Sequence, residues 1–135
     1  TPFEAQFEVA ALSDGRLRTN GRVSGDRDVD LGRMALLRVG GVSIAVTSKR
    51  FQAHDQAPFQ ALGVEPSRQK ILALKSTCHF RAEFEPLAER VIVVLSPGGY
   101  LADPVAYPYR RLREGVRLRP LGPAFVRGAR PSPTS

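Results

Sequence analysis

The chain has 135 residues, enough for one domain with its own core, and its 42% apolar and 24% charged residues exclude wholesale disorder. No run approaches the length of a membrane span; the longest uninterrupted apolar stretch is Val91-Ile92-Val93-Val94-Leu95. The net charge of +7 raises nucleic-acid binding, yet from Tyr109 onward seven arginines face a single acid, Glu114, which leaves about +1 for the body before them. A nucleic-acid-binding domain carries its basic stripe on a folded face, not on a Pro-rich tail, so this distribution disfavours that class.

The opening Thr1-Pro2-Phe3-Glu4 has neither an initiator Met nor the basic-then-apolar order of a signal peptide, and reads as the interior of a longer polypeptide. From Phe3 to Ala11, apolar residues alternate with polar ones, a period of two that predicts a half-buried strand. Ser13-Asp14-Gly15-Arg16 is a turn signal, after which Leu17 to Val23 returns as a second strand. Gly25-Asp26-Arg27-Asp28 reads as another turn or loop. Two β-branched runs, Met34 to Val39 and Val42 to Thr47, flank Gly40-Gly41, which predicts a tight hairpin with a primed turn.

Asp55 as cap, Pro58 in the first turn and Gly63 as terminator predict one short helix, with a further helical turn at Pro66 to Gln69. The lysine-bounded run Ile71-Leu72-Ala73-Leu74 reads as a buried strand, as does Val91 to Leu95. Between them Phe80, Phe84, Leu87 and Ala88 have helical spacing that Pro86 should break. After Asp103-Pro104 the pattern dissolves into extended chain, and residues 128–135 read as disordered. The expected architecture is mixed α/β: β-hairpins plus a small mixed sheet with a few short helices, and an extended basic C-terminal tail.

The inventory for catalysis is thin. A zinc site needs three or four protein ligands, and only His54, Asp55, Cys78, His79 and some carboxylate are on offer, without H-x-x-x-H or C-x-x-C spacing. The single cysteine cannot form an internal disulfide, which fits a reducing, cytoplasmic compartment. Ser48, Ser76 and Ser96 each end an apolar run, but none sits in a G-x-S-x-G elbow. One constellation stands out. Lys75-Ser76-Thr77-Cys78-His79-Phe80-Arg81 places a lysine, a serine, a histidine and an arginine where a strand leads into a helix, an anion-docking arrangement. The plainer reading makes Lys75 and Arg81 solvated, His79 a cap or packed side chain, and Ser76 a helix cap.

These residues carry a resemblance. Thr47-Ser48-Lys49-Arg50 followed by Leu62-Gly63-Val64-Glu65-Pro66 looks like the T-S-[RK]-R … L-G-[IV]-[DE]-P run of the MlrC-like zinc metallopeptidases. Lys75-Ser76-Thr77-Cys78-His79-Phe80-Arg81-Ala82 is similar to that family's V-K-S-x-x-H-F-R-A signature. Pro97-Gly98, Asp103-Pro104 and Tyr107 to Arg113 resemble its closing segment, and Ala11 to Arg16 also fits. The ordered set spans about Ala11 to Arg113, although the ending Val116-Arg117-Leu118-Arg119-Pro120-Leu121 departs from the family's aromatic and apolar close.

The resemblance implies a peptidase whose zinc ligands lie in an N-terminal domain of the same polypeptide, with none in this chain. Residues 1–113 would be part of the C-terminal domain and 114–135 a basic Pro-rich tail. By matching positions, His79 and Arg81 would face a small peptide substrate, with Lys75, Ser76, Ser48 and Arg50 as further cleft-lining candidates. The partners implied are the N-terminal catalytic domain and the peptide; homo-oligomerisation stays open. The alternative is a free-standing, non-catalytic binding module that holds acidic or nucleic-acid partners with its Arg-rich end.

Overall fold

The computed structural model describes residues 3–94, 101 and 103–127, and the chain divides into two units, Thr1–Val91 and Ile92–Ser135. The first holds five strands: β1 (Glu8–Ser13), β2 (Arg16–Thr19), β3 (Arg27–Asp30), β4 (Met34–Val39) and β5 (Val42–Thr47). They form two antiparallel sheets, ordered β1-β4-β5 and β2-β3. Helix α1 (Ala57–Gln60), a 3₁₀ turn (Pro66–Arg68), helix α2 (Arg81–Phe84) and a second 3₁₀ turn (Glu85–Leu87) follow. The expected mixed α/β class is thus the observed one, with hairpins and short helices. None of the described helices is long and apolar enough to cross a membrane.

The strand expected from Phe3 begins only at Glu8, and a bulge between Val9 and Ala11 breaks its alternation. Val9 pairs with Leu37 while Ala11 pairs with Leu36, so the two lie on opposite faces despite their even spacing. The second strand stops at Thr19 rather than Val23. There the fully buried hydroxyl bonds the carbonyls of Gly25 and Arg27, at 3.0 and 3.2 Å, and the chain turns. Arg27 and Asp28, read as loop, belong to β3: they pair with Thr19 and Arg18, and Arg18 also engages Asp26 in an exposed bidentate contact. Opposite charges facing across the strands favour that pairing over a loop.

The β4–β5 hairpin forms as its sequence predicts, with Gly40 at a φ of 55°, the positive value that the first central position of a primed turn requires. One face of β4 supplies the core. Met34 and Leu36 pack with Leu31 and Leu62, and Ala11, Leu17, Val29, Phe51 and Val64 close around them. The other face of the same sheet is apolar as well. Ala35, Leu37 and Val39 share it with Val46, Ile44 and Val42 of β5 and with Leu12 and Val9 of β1, and Leu12 is 76% exposed.

The helix expected from Asp55 to Gly63 forms over Ala57–Gln60. The Asp55 carboxylate accepts from the Ala57 N–H at 2.8 Å, Pro58 lies in the first turn, and Gly63 ends it at a φ of 75°. Pro66 opens its 3₁₀ turn, and Glu65 accepts from Ser67 as cap. Pro86 breaks helix α2 into a 3₁₀ turn as expected, and Phe84 of that helix is buried edge-to-face on Phe59, 5.8 Å between centroids.

Among the described residues neither of the two buried strands expected, at residues 70–76 and 91–95, is formed. Residues 71–75 are exposed and half-buried in strict alternation but pair with no strand among the described residues, and Ile71 is 89% exposed. Ile92 and Val94 are 70% and 78% exposed, and Leu95 lies outside the described residues. An apolar β-branched run becomes a buried strand only where a neighbouring strand takes up its backbone groups.

In the second unit, Asp103 caps a 3₁₀ turn (Pro104–Ala106) by accepting from the Val105 N–H at 3.1 Å, and its carboxylate is clamped by Arg119. Those bonds, the Arg119 one first, hold the Asp103 carboxyl below its ordinary pKa. The extended chain expected beyond Tyr107 instead bends and closes a small antiparallel bridge, Arg117 to Ala124, with Phe125 donating to Val116 at 2.9 Å. The disorder expected at residues 128–135, and the glycine turn at Pro97-Gly98-Gly99, lie outside the described residues.

Candidate functional site

The bend after residue 75 is held by a side chain for which the sequence carries no motif signal. Gln52, just past the hairpin, donates from Nε2 to Ser76 Oγ at 3.1 Å, and its Oε1 lies 3.2 Å from His79 Nδ1. With the amide in that orientation Oε1 must accept, so Nδ1 carries the imidazole hydrogen. The Nε2 lone pair of the exposed His79 is then left to accept a proton or a hydrogen bond.

Of the six sequence candidates, Ser76 and His79 are therefore brought together through Gln52. Neither caps α2, whose N-cap is Phe80 with no side-chain bond. Arg81 stands one turn on, paired with Glu85 at 2.8 Å and lying over the Phe80 ring at 5.3 Å. Both partners are nearly half exposed, and an i, i+4 pair of that kind contributes only about 0.3–0.5 kcal/mol, so a carboxylate ligand can displace Glu85 at small cost.

Ser48 is not part of this cluster. Its N–H donates to Arg33 at 2.9 Å, and its hydroxyl lies where a Cβ on Gly32 would sit, 2.2 Å away. Beside it Lys49 is tied to Asp30 at 2.6 Å, and that bond, with one from the Gly32 N–H, lowers the Asp30 pKa. Arg50 is exposed, with no bond to the cluster.

Lys75 is exposed and lines a groove of about 620 Å³ to which both β5 and residues 71–75 contribute. Met34, Leu36, Phe51, Pro58, Phe59 and Val64 are on its lining, so it lies against the core. Asp55, also on the lining, is 1% exposed and fully engaged: the Ser24 hydroxyl and the Gly21 N–H donate to one oxygen, the Ala57 N–H to the other. Burial opposes its ionisation, but those hydrogen bonds, the Ser24 one foremost, outweigh burial and leave the pKa below the usual aspartate value.

His54 stacks on Phe51 at 4.8 Å with its buried Nδ1 unpartnered. Among the described residues no three His, Cys, Asp or Glu side chains converge, so the residues present do not fit a zinc site.

Residues 1–111 match the family model "MlrC C-terminus". The chain belongs to the MlrC C-terminal family. It is 36% identical over 95 residues, 70% of its length, to "Microcystinase C" from a Sphingomonas species, and spans only 18% of that relative. No solved structure matches it. Within the MlrC match lie the hairpin, Gln52 and the whole stretch from Lys75 to Arg81. Arg110 and Arg111 fall at its edge, and the later arginines are outside it.

Proposed function

We propose that this chain is the C-terminal accessory domain of a cytoplasmic zinc metallopeptidase of the MlrC kind, and that it forms one wall of a substrate cleft. The catalytic zinc and its ligands belong to an N-terminal domain of the same polypeptide. The carrying observation is the Gln52-centred cluster, which turns a family-matched histidine outward with a defined open nitrogen. With a proton taken up on Nε2, a His79 side chain so held donates a hydrogen bond to a peptide carbonyl or to the oxyanion that develops from it. Arg81, once released by Glu85, pairs with a substrate carboxylate in the bidentate manner guanidinium favours. Zinc supplies a polarised water in such enzymes, and this chain's residues bind and orient.

The test is hydrolysis of a linear peptide by the longer polypeptide that carries this domain. His79→Ala should lower kcat/KM by about 10²-fold, the range of one oxyanion donor, and Gln52→Ala by less because the ring merely loses its tether. Unchanged turnover in His79→Ala would remove that side chain from the site.

The exposed Arg110, Arg111, Arg113, Arg117 and Arg127 favour a second reading, a module that binds acidic or nucleic-acid partners. Nucleic-acid affinity falling steeply with salt, at a log–log slope of several units, would support it over the first.

A further inference from the structure

We infer that the groove between β5 and residues 71–75 is a strand-acceptor site, filled by an extended, largely apolar segment of the neighbouring domain that carries an acid at one end and hydrogen-bonds to both walls.

Both walls are unfinished strand edges. The Gly40-Gly41 turn makes Val39 and Val42 a hydrogen-bonded pair, and antiparallel alternation then sends the N–H and C=O groups of Ser43, Ala45 and Thr47 away from β4. The Ser48 N–H bond to the Arg33 carbonyl falls where that alternation requires it. Opposite them, residues 71–75 are alternately exposed and half-buried, the period of two that a strand has, and their main chain makes no hydrogen bond among the described residues. Two segments that line one groove of about 620 Å³ without pairing leave main-chain groups on both sides for an incoming strand to take up.

The charge of the site limits what enters. Asp55 is turned inward to its own donors, so the apolar floor presents no free acid. β5 has no charged residue, proline or bulge, the usual devices that keep a foreign strand off an edge. Lys75, without an ion pair among the described residues, stands at one end and selects a carboxylate there. The occupant is therefore an alternating apolar strand with an acid at its Lys75 end. The neighbouring domain supplies that strand. That source rests on the accessory-domain reading, since the matched relative is more than five times as long as the region it shares with this chain.

The probe is the peptide acetyl-Thr-Val-Thr-Val-Thr-Glu-amide added to the full 135-residue chain, with amide hydrogen exchange read by NMR. The amides of Ser43, Ala45 and Thr47 and alternate amides of residues 71–75 should slow at least about tenfold, while those already paired with β4 stay unchanged. A backbone N-methylated peptide should have no effect, and Lys75→Glu should weaken binding of the acidic peptide but not of one ending in lysine. Ser43→Pro removes an outward N–H without touching the β4 ladder, and should lose the response while the β4 amides stay protected. Three results would each overturn the inference: no protection at millimolar peptide, protection by the N-methylated form, or protection without peptide that grows with protein concentration, the mark of a second copy. Peptidase turnover is not involved, so this result and the His79 assay fail independently.

Discussion

Asp55 concentrates more of the fold in one side chain than any other polar residue described. It joins the start of α1, the turn after β2 and the buried Ser24, and Gly21 must be glycine because a Cβ there would lie 2.7 Å from its carboxylate. Hydrogen bonds to a charged acceptor contribute about 1.5–3 kcal/mol each, and Asn would turn a donor toward donors. Asp55→Asn should therefore cost about 3 kcal/mol at pH 7, measured by urea unfolding. The pH dependence has a definite sign. A carboxyl whose folded pKa is depressed stabilises above its unfolded value of about 3.9 and loses that contribution as pH falls through the folded pKa. The gap between wild type and Asp55→Asn should accordingly narrow as the pH falls below about 4; a gap independent of pH would show that Asp55 acts by shape alone. Asp55 was legible from the sequence as a helix cap, but its grip on Gly21 and Ser24 spans more than thirty residues and left no local trace.

At the scale of elements, the outcome follows how local each element's requirements are. The hairpin at Gly40-Gly41 needs only its turn and two flanking runs, and α1 needs its cap and its terminator; both were predictable. Gly15 is a sharper case. Its φ is 75° and its carbonyl takes the Leu31 N–H at 2.9 Å, while a Cβ would stand 1.8 Å from the Gly32 carbonyl oxygen. The turn signal predicts the positive φ; the contact with Gly32 appears only in the fold. Gly15→Ala should lose about 3 kcal/mol or more, seen as a lower urea midpoint, since the strained φ and a backbone clash add. A loss under about 1 kcal/mol would mean that the β1–β2 turn rearranges freely. The bulge in β1 and the early stop of β2 were illegible for the same reason: each depends on the partner strand.

The whole molecule shows a mismatch between apolar content and apolar burial. Among the described residues only Leu31, Met34, Leu36, Leu62 and Phe84 form the buried core, while Val9, Leu12, Val42 and Val46 on the other face of the β1-β4-β5 sheet, with Ile71 and Ile92 to Val94, are exposed. So small a core stabilises weakly, because burial scales at about 25 cal/mol per Å² against a backbone entropy of 1–2 kcal/mol per residue. The isolated chain should unfold with less than about 5 kcal/mol, with a shallow denaturant slope and marked binding of a hydrophobic dye. A steep, cooperative melt above about 65 °C without dye binding would contradict this, and with it the uncovered faces.

From residue order alone came the mixed α/β class, the hairpin, the capped helix, the break at Pro86 and the MlrC motifs around Lys75 to Arg81, because each is written in contacts a few residues long. Tertiary structure decided three things. It linked Ser76 to His79 through Gln52, it sent Ser48 to Gly32 and away from that cluster, and it left residues 71–75 without a partner strand among the described residues. An apolar run states that a strand wants burial, but whether it is buried depends on a neighbouring strand being present to take its backbone, and that is a property of the assembled fold.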